Sequence, residues 1–299
     1  MSKVHVGISG WRYAPWRGVF YPKGLAQKHE LRYAARAVSA IEINGSFYAL
    51  QTPERYAQWY ADTPGGFTFT VKAPRYITHT RRLKDIETPL ANFFASGVFA
   101  LKEKLGAFLW QFPPNFQFDP ERFEAFLARL PRRGDQALAI ARQCEARMHA
   151  VGWDAIAPRQ VLRHAVEVRH ESFACAEFAE MLRRHGVAWV VADTAGKWPY
   201  AEDLTADFVY MRLHGDAKLY ESGYSQAALD RWQQRIECWA AGRQVPGARQ
   251  LSPRQPRPRK ARTVFCFFDN DVKVHAPADA RALAAALGIG KPLPDPKAL

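Results

Sequence analysis

Cysteine is scarce: four in 299 residues, at Cys144, Cys175, Cys238 and Cys266, with no C-x-x-C pair among them. That spacing excludes a disulfide framework and fits free thiols in a reducing compartment. No uninterrupted apolar run approaches the roughly 18–20 residues that a membrane-spanning helix needs. Met1-Ser2-Lys3 leads at once into a strand-like run, with no charged leader and apolar stretch ahead of it. A cytoplasmic protein with no membrane partner is therefore expected. Short metal motifs such as H-E-x-x-H are missing, as are helix-turn-helix, zinc-finger and RNA-recognition signatures.

What is present is a large apolar fraction and an excess of positive charge. Hydrophobic residues make up 48% of the chain, enough for an extensive core. The 42 Lys and Arg outnumber the 29 Asp and Glu, giving +13. Such an excess favours anionic partners. Its distribution is uneven, because residues 243–262 (RQVPGARQLSPRQPRPRKAR) hold six Arg, one Lys, four Pro and no acid. This stretch supplies +7 of the +13 and reads as a mobile basic insertion.

Eight strand-like runs recur along the chain: Val4–Ser9, Ala40–Asn44, Phe67–Lys72, Ala107–Phe112, Ala165–Arg169, Val187–Asp193, Phe208–His214 and Val264–Asp269. Most are followed by a helical pattern. Thr52-Pro53, Asp119-Pro120 and Ala276-Pro277 each place proline at a plausible first helical position. Alternate residues of a strand share a face. Ile41 and Ile43 thus oppose Glu42 and Asn44, Val166 and Val168 oppose Glu167 and Arg169, and Val209, Met211 and Leu213 oppose Arg212 and His214. The polar residues gather at the C-terminal strand ends. An open doubly wound sheet needs both faces apolar, whereas a barrel packs one face on helices and lines its lumen with the other. The expectation is an α/β fold, a single (β/α)8 TIM barrel over residues 1–299. It would carry a long connection between the fourth and fifth strands (131–160) and the basic Pro/Arg-rich insertion before the eighth strand.

Seven segments carry a more specific likeness: GISGWRYAPWRGVFYP (Gly7–Pro22), EINGSFYALQTPE (Glu42–Glu54), FTVKAPRYITH (Phe69–His79), LWQFPPNF (Leu109–Phe116), AVEVRHESF (Ala165–Phe173), YMRLHG (Tyr210–Gly215) and FFDNDVKVHAPADA (Phe267–Ala280). In this order the chain resembles the domain of unknown function 72 family over nearly its whole length. The resemblance implies a barrel similar to those of the xylose isomerase and apurinic endonuclease type. It implies no particular reaction. Asp269, Val274 and Asp279 stand where the family usually carries Asn, Gly and Asn, so the turn after the eighth strand is expected to differ.

The predicted mouth gathers the candidate site. Glu42, Glu167 and His214 are the candidate acid–base residues, because a carboxylate or imidazole can move protons when its pKa approaches the working pH. Arg169 and Arg212 offer planar forks for a phosphate or carboxylate, and Lys72 offers a point charge or, when buried, a Schiff-base amine. Trp11, Asn44, Gln111, Asp193, Asp269 and Asn270 complete the expected substrate-binding set. Candidate ligands for a divalent metal are Glu42, Glu167, His170, Asp193, His214, Asp269, Asp271 and His275. Many lie beside Arg or Lys, so a site without a metal or other cofactor is expected. The functional expectation is an enzyme acting on a small anionic, phosphate-bearing substrate, with hydrolase or phosphodiesterase chemistry favoured by fold analogy. The alternative is a nucleic-acid-binding protein using residues 243–262 with little or no catalysis. A carbohydrate hydrolase would need Glu42 and Glu167 flanking one bond.

Overall fold

A computed structural model of the chain describes residues 3–148, 156–270 and 274–296. Nine parallel strand segments make one sheet: β1 (Val4–Ser9), β2 (Ala40–Ile43), β3 (Thr68–Lys72), β4 (Leu105–Gln111), β5 (His164–Glu167), β6 (Ala188–Trp189), β7 (Val191–Asp193), β8 (Phe208–Leu213) and β9 (Thr263–Phe268). Their spatial order is β6-β5-β4-β3-β2-β1-β9-β8-β7. The two ends of that order, β6 and β7, are separated only by Val190, so one interrupted strand forms both ends and closes the barrel. Val190 continues the pairing by donating its amide to Val166 O at 2.9 Å. All eight expected strands are thus found within two residues of their predicted bounds.

The parity seen in the sequence becomes two apolar layers. Val6, Ile8, Ile41, Ile43, Phe108, Trp110, Val166, Val209 and Met211 face outward into a continuous core with the helices. Ala40, Ala107, Leu109, Ala165, Ala188, Val190, Phe208, Tyr210, Phe265 and Phe267 form a second cluster, which fills the lumen. Small residues on β2, β4, β5 and β6 make room for the aromatic rings of β8 and β9. Gly7 belongs to the same logic: a Cβ there would sit 1.9 Å from Ala40 O, so β1 and β2 approach as closely as they do only because it is absent. This second cluster fills the lower lumen around His5, which stacks on Phe265 at 5.3 Å, and the carboxylates and the Lys72 and Arg212 side chains gather towards the C-terminal end.

Helix starts follow the side-chain chemistry in two of the three expected places. Thr52 and Asp119 cap the helices Pro53–Asp62 and Pro120–Arg129, their side-chain oxygens accepting from the Arg55 and Arg122 amides. The third start differs. The helix His275–Ala286 begins two residues before Pro277, after Val274 in the left-handed conformation (φ 62°, ψ 24°). A β-branched residue resists that region. Val274→Gly is therefore expected to stabilise the fold by about 1 kcal/mol, measurable as a raised denaturation midpoint.

The 131–160 connection contains the helix Gly134–Ala141, which packs on the helix Glu87–Ala95. Residues 149–155 of it lie outside the described residues. The expectation that 243–262 is a mobile insertion is corrected over its first half and at its end. Gln244 donates to Glu202 O, the Arg249 amide to Glu202 Oε2, and the Leu251 and Ser252 amides to Asp203. Glu202 and Asp203 are buried acids, and an arginine-rich neighbour supplies the backbone donors they need. No helix among the described residues is long and apolar enough to cross a membrane.

Candidate functional site

The C-terminal ends of β2, β3, β5, β8 and β9 bring one polar layer together above the apolar lumen. Its centre is Arg212, which is wholly buried. Arg212 donates from Nε and Nη2 to the two oxygens of Glu42 at 3.1 and 2.9 Å, from Nη1 to Glu167 Oε2 at 2.6 Å, and from Nη2 to Asp269 Oδ2 at 2.7 Å. Three strands thus point carboxylates at one guanidinium. Alternation dictates this, since Glu42, Glu167 and Arg212 all occupy lumen-facing positions of their strands.

Each carboxylate is further constrained. Glu42 also accepts from Ser9 Oγ at 2.9 Å and from Tyr210 Oη at 2.7 Å, and Tyr210 Oη lies 2.8 Å from Thr70 Oγ1. Glu167 Oε1 accepts from Arg169 Nε at 2.8 Å. Burial alone would raise the Glu167 pKa, but Arg212 and then Arg169 hold it well below the usual carboxylate range. Burial likewise opposes ionisation of Asp269, and Arg212 with His214 brings it down to about 2. Both groups are firmly anionic at neutral pH.

Two further side chains, Lys72 and His214, complete the layer. Lys72 is 9% exposed, with Nζ 4.2 Å from the centre of the Phe47 ring. Burial first, and the Arg212 charge second, lower its pKa to about 8, against the pull of the three acids. His214 is fully buried, with Nδ1 3.1 Å from Asp269 Oδ2 and Nε2 3.9 Å from Glu167 Oε2. Neither nitrogen is in hydrogen-bonding geometry. Over this layer lie Tyr220 and Trp198. Tyr220 meets the His214 ring edge to face at 5.2 Å, and the Arg169 guanidinium stacks 3.7 Å above Trp198. Arg169 donates from Nη2 to Tyr220 Oη at 3.2 Å, while its Nη1 makes no hydrogen bond among the described residues.

Comparison with known proteins places this geometry. A family model described as "Protein of unknown function DUF72" matches residues 5–298. The chain belongs to the DUF72 family. A DUF72 family protein of Thermotoga maritima (TM1631) superposes with a TM-score of 0.69 at 26% identity, over 96% of this chain and 99% of that one. Another, EF0366 of Enterococcus faecalis V583, superposes with a TM-score of 0.68 at 17% identity, over 98% of both chains, and shows the fold alone. Among curated relatives, the UPF0759 protein YunF of Bacillus subtilis is 30% identical over 123 residues, 40% of this chain and 43% of that one. The UPF0759 protein YecE of Escherichia coli K12 is 26% identical over 113 residues, 38% of this chain and 39% of that one. The aligned stretch thus spans about two fifths of each of these relatives.

In this DUF72 barrel the predicted site residues divide. Glu42, Lys72, Glu167, Arg169, Arg212, His214 and Asp269 come together as expected. Gln111 is buried at the end of β4, and Asn44 follows β2 with a buried, unpartnered Oδ1. Asp193 closes β7 one step aside. Its carboxylate accepts from Tyr224 Oη at 3.1 Å, and burial raises its pKa. It also lines a side cleft of about 310 Å³ with Trp198 and Arg235.

Two expected substrate contacts are not at the mouth. Asn270 is wholly buried and donates to Ser222 O and Asp279 Oδ2, so it ties the loop after β9 to the loop after β8. Trp11 packs edge to face on Trp59 at 5.2 Å and borders a separate cleft with Arg12 and Asp62. The stacking ring at the mouth is Trp198, in a long loop where no strand parity could single it out. Arg212 is also corrected as an anion clamp, because four of its hydrogen bonds already go to carboxylates. Its guanidinium occupies the space between Glu42 and Glu167 where a glycosidic bond would have to lie, which removes the carbohydrate-hydrolase arrangement. The same group separates the acids that a metal would need to share. Among the described residues, no three His, Cys, Asp or Glu side chains are grouped to hold a metal ion. Asp271 lies outside the described residues.

Proposed function

We propose that the chain is an enzyme that acts on a phosphate-bearing anionic substrate by acid–base chemistry at the C-terminal mouth of its barrel. One observation carries the reading: a lysine whose pKa is brought to about 8 shares a buried layer with three carboxylates and with an imidazole 3.1 Å from one of them. Burying such a set stabilises a fold less than apolar packing of the same volume would. Perturbed titratable groups at the C-terminal end of a barrel are the usual mark of catalysis.

The roles follow from which atoms remain available. Glu42 accepts four hydrogen bonds through two oxygens and acts as a brace for Arg212, not as a proton carrier. Glu167 stays anionic and orients Arg169. Arg169 has side-chain exposure of 12% and an Nη1 with no hydrogen bond among the described residues, so it receives the substrate's phosphate while its plane rests on Trp198. Lys72 and His214 move the proton. Hydrolysis of a phosphate ester is the favoured class: with Arg169 on the phosphate oxygens, water attacks phosphorus and gives its proton to the His214 imidazole, while the P–O bond to the leaving group breaks and the Lys72 ammonium protonates the leaving oxygen. The alternative, nucleic-acid binding through 243–262, leaves this buried layer without a purpose.

The test is a thermal-shift and phosphate-release screen with sugar phosphates, nucleotides and their uncharged counterparts. An anionic ligand should raise the melting temperature of the native chain. Arg169→Gln should weaken its binding at least tenfold, and Lys72→Met should keep binding while lowering turnover by about 10²-fold or more. A panel with no binder, or a binder indifferent to Arg169, would overturn the proposal.

A further inference from the structure

A cleft of about 640 Å³ lies at the opposite end of the barrel from the mouth. Its walls are residues that precede strands: Arg163 before β5, His185 and Gly186 before β6, Asp207 before β8 and Arg262 before β9. Arg257 and Arg259, from the basic segment, form its rim.

The arginines here fall into two groups. Arg183, Arg184 and Arg254 have carboxylate partners in Glu180, Glu124 and Asp203. Arg132, Arg163, Arg257, Arg259 and Arg262 form no ion pair among the described residues, and Asp207 is the single acid in the lining. Arg262 is only 2% exposed. It donates to the Gly242 and Arg257 carbonyls, and its Nε has no partner. The Nε of Arg163 is also buried without one. Carbonyls can satisfy donors but cannot neutralise charge, and Asp207, whose charge acts on Arg132 and Arg262, offsets only one of the five, so the cavity keeps an excess of cations. Of these only Arg262 is wholly buried, and a buried charge is ordinarily paired.

We propose that this cleft is a binding site for a compact ligand carrying several phosphate groups. Guanidinium forks match phosphate oxygens in pairs, and arginines at the entrances of β5 and β9, at Arg132 and on the rim from the basic segment fit several phosphates at once. The volume lies in the range of small-ligand sites. The site faces away from Lys72 and Arg169 and does not depend on what the mouth does.

Calorimetric titration of the full chain with inorganic triphosphate tests the assignment, alongside a short single-stranded oligonucleotide across a range of salt concentrations. Triphosphate should bind the native chain, and the double variant Arg257→Gln/Arg259→Gln should bind it at least tenfold more weakly. Both side chains are exposed, so without ligand that variant should melt no lower than the native chain. Arg169→Gln should leave triphosphate binding unchanged, which separates this site from the mouth. The oligonucleotide should bind more weakly than triphosphate. Absence of triphosphate binding, equal binding by the double variant, or loss of binding in Arg169→Gln would each overturn the proposal. So would tighter oligonucleotide binding with a steeper salt dependence, because that is the signature of a strand engaging many phosphates.

Discussion

Arg212→Met is expected to cost about 3–5 kcal/mol, the penalty for leaving buried charge without its partner. The side chain removed is the shared ion-pair partner of Glu42, Glu167 and Asp269, so the loss lies at the upper end of that range. The pH dependence should reverse as well. In the native chain Glu167 and Asp269 have pKa values below those of the unfolded chain. Their contribution is therefore fully present above about pH 4.5 and lost as pH falls towards 2. Without Arg212, burial dominates and raises the folded carboxyl pKa values above the unfolded ones. The variant should then lose stability as pH rises from about 5 to 7, and denaturant midpoints at several pH values would show the change of sign. An unchanged midpoint, or the native acid slope retained, would mean that Arg212 is not the counter-charge of this layer. Arg212→Lys should fall between, since it keeps the charge and loses the fork.

The second large effect belongs to Lys72. Its folded pKa of about 8 lies below the ordinary 10.5. The unfolded chain therefore holds more protons between those values, and the native state gains stability with rising pH in that window. One proton gives a slope of about 1.4 kcal/mol per pH unit, so the full rise is on the order of 3 kcal/mol. Lys72→Met lacks this component. Subtracting its stability curve from the native one should leave a single-proton rise beginning near pH 8, read by urea denaturation between pH 7 and 10. A flat difference would show a solvated ammonium of ordinary basicity. It would also remove Lys72 as the proton carrier of the proposed reaction. The depressed value has a local origin: the ammonium shares its pocket with the fixed charge of Arg212, and Phe47 covers it where water would otherwise solvate it.

These two residues show how far a sequence can lead. Both lie on strands, where side chains alternate strictly. Their strand neighbours Phe69, Val71, Val209, Met211 and Leu213 mark the helix-facing side, so the lumen side follows by elimination. The same argument places Glu42, Glu167 and His214. It fails for residues on loops: Trp198 and Tyr220 have no periodic neighbours to assign them a face, and Trp11 and Asn270 follow the ends of their strands, where alternation stops.

Strand order, barrel closure and the polar end of the lumen were legible because each is a repeated local pattern of period two or of helical spacing. What each charged group does there was not. Arg212 as the shared partner of three acids, rather than a clamp open to substrate, depends on residues 170 and 45 positions away meeting at distances near 3 Å. The same holds for the arginines at the far end of the barrel. Their number and their basic segment were plain in the chain, but which of them find a carboxylate and which remain unpaired around a cleft was decided only by tertiary structure. Charge interactions depend on distance and burial, and neither is encoded by position along the chain.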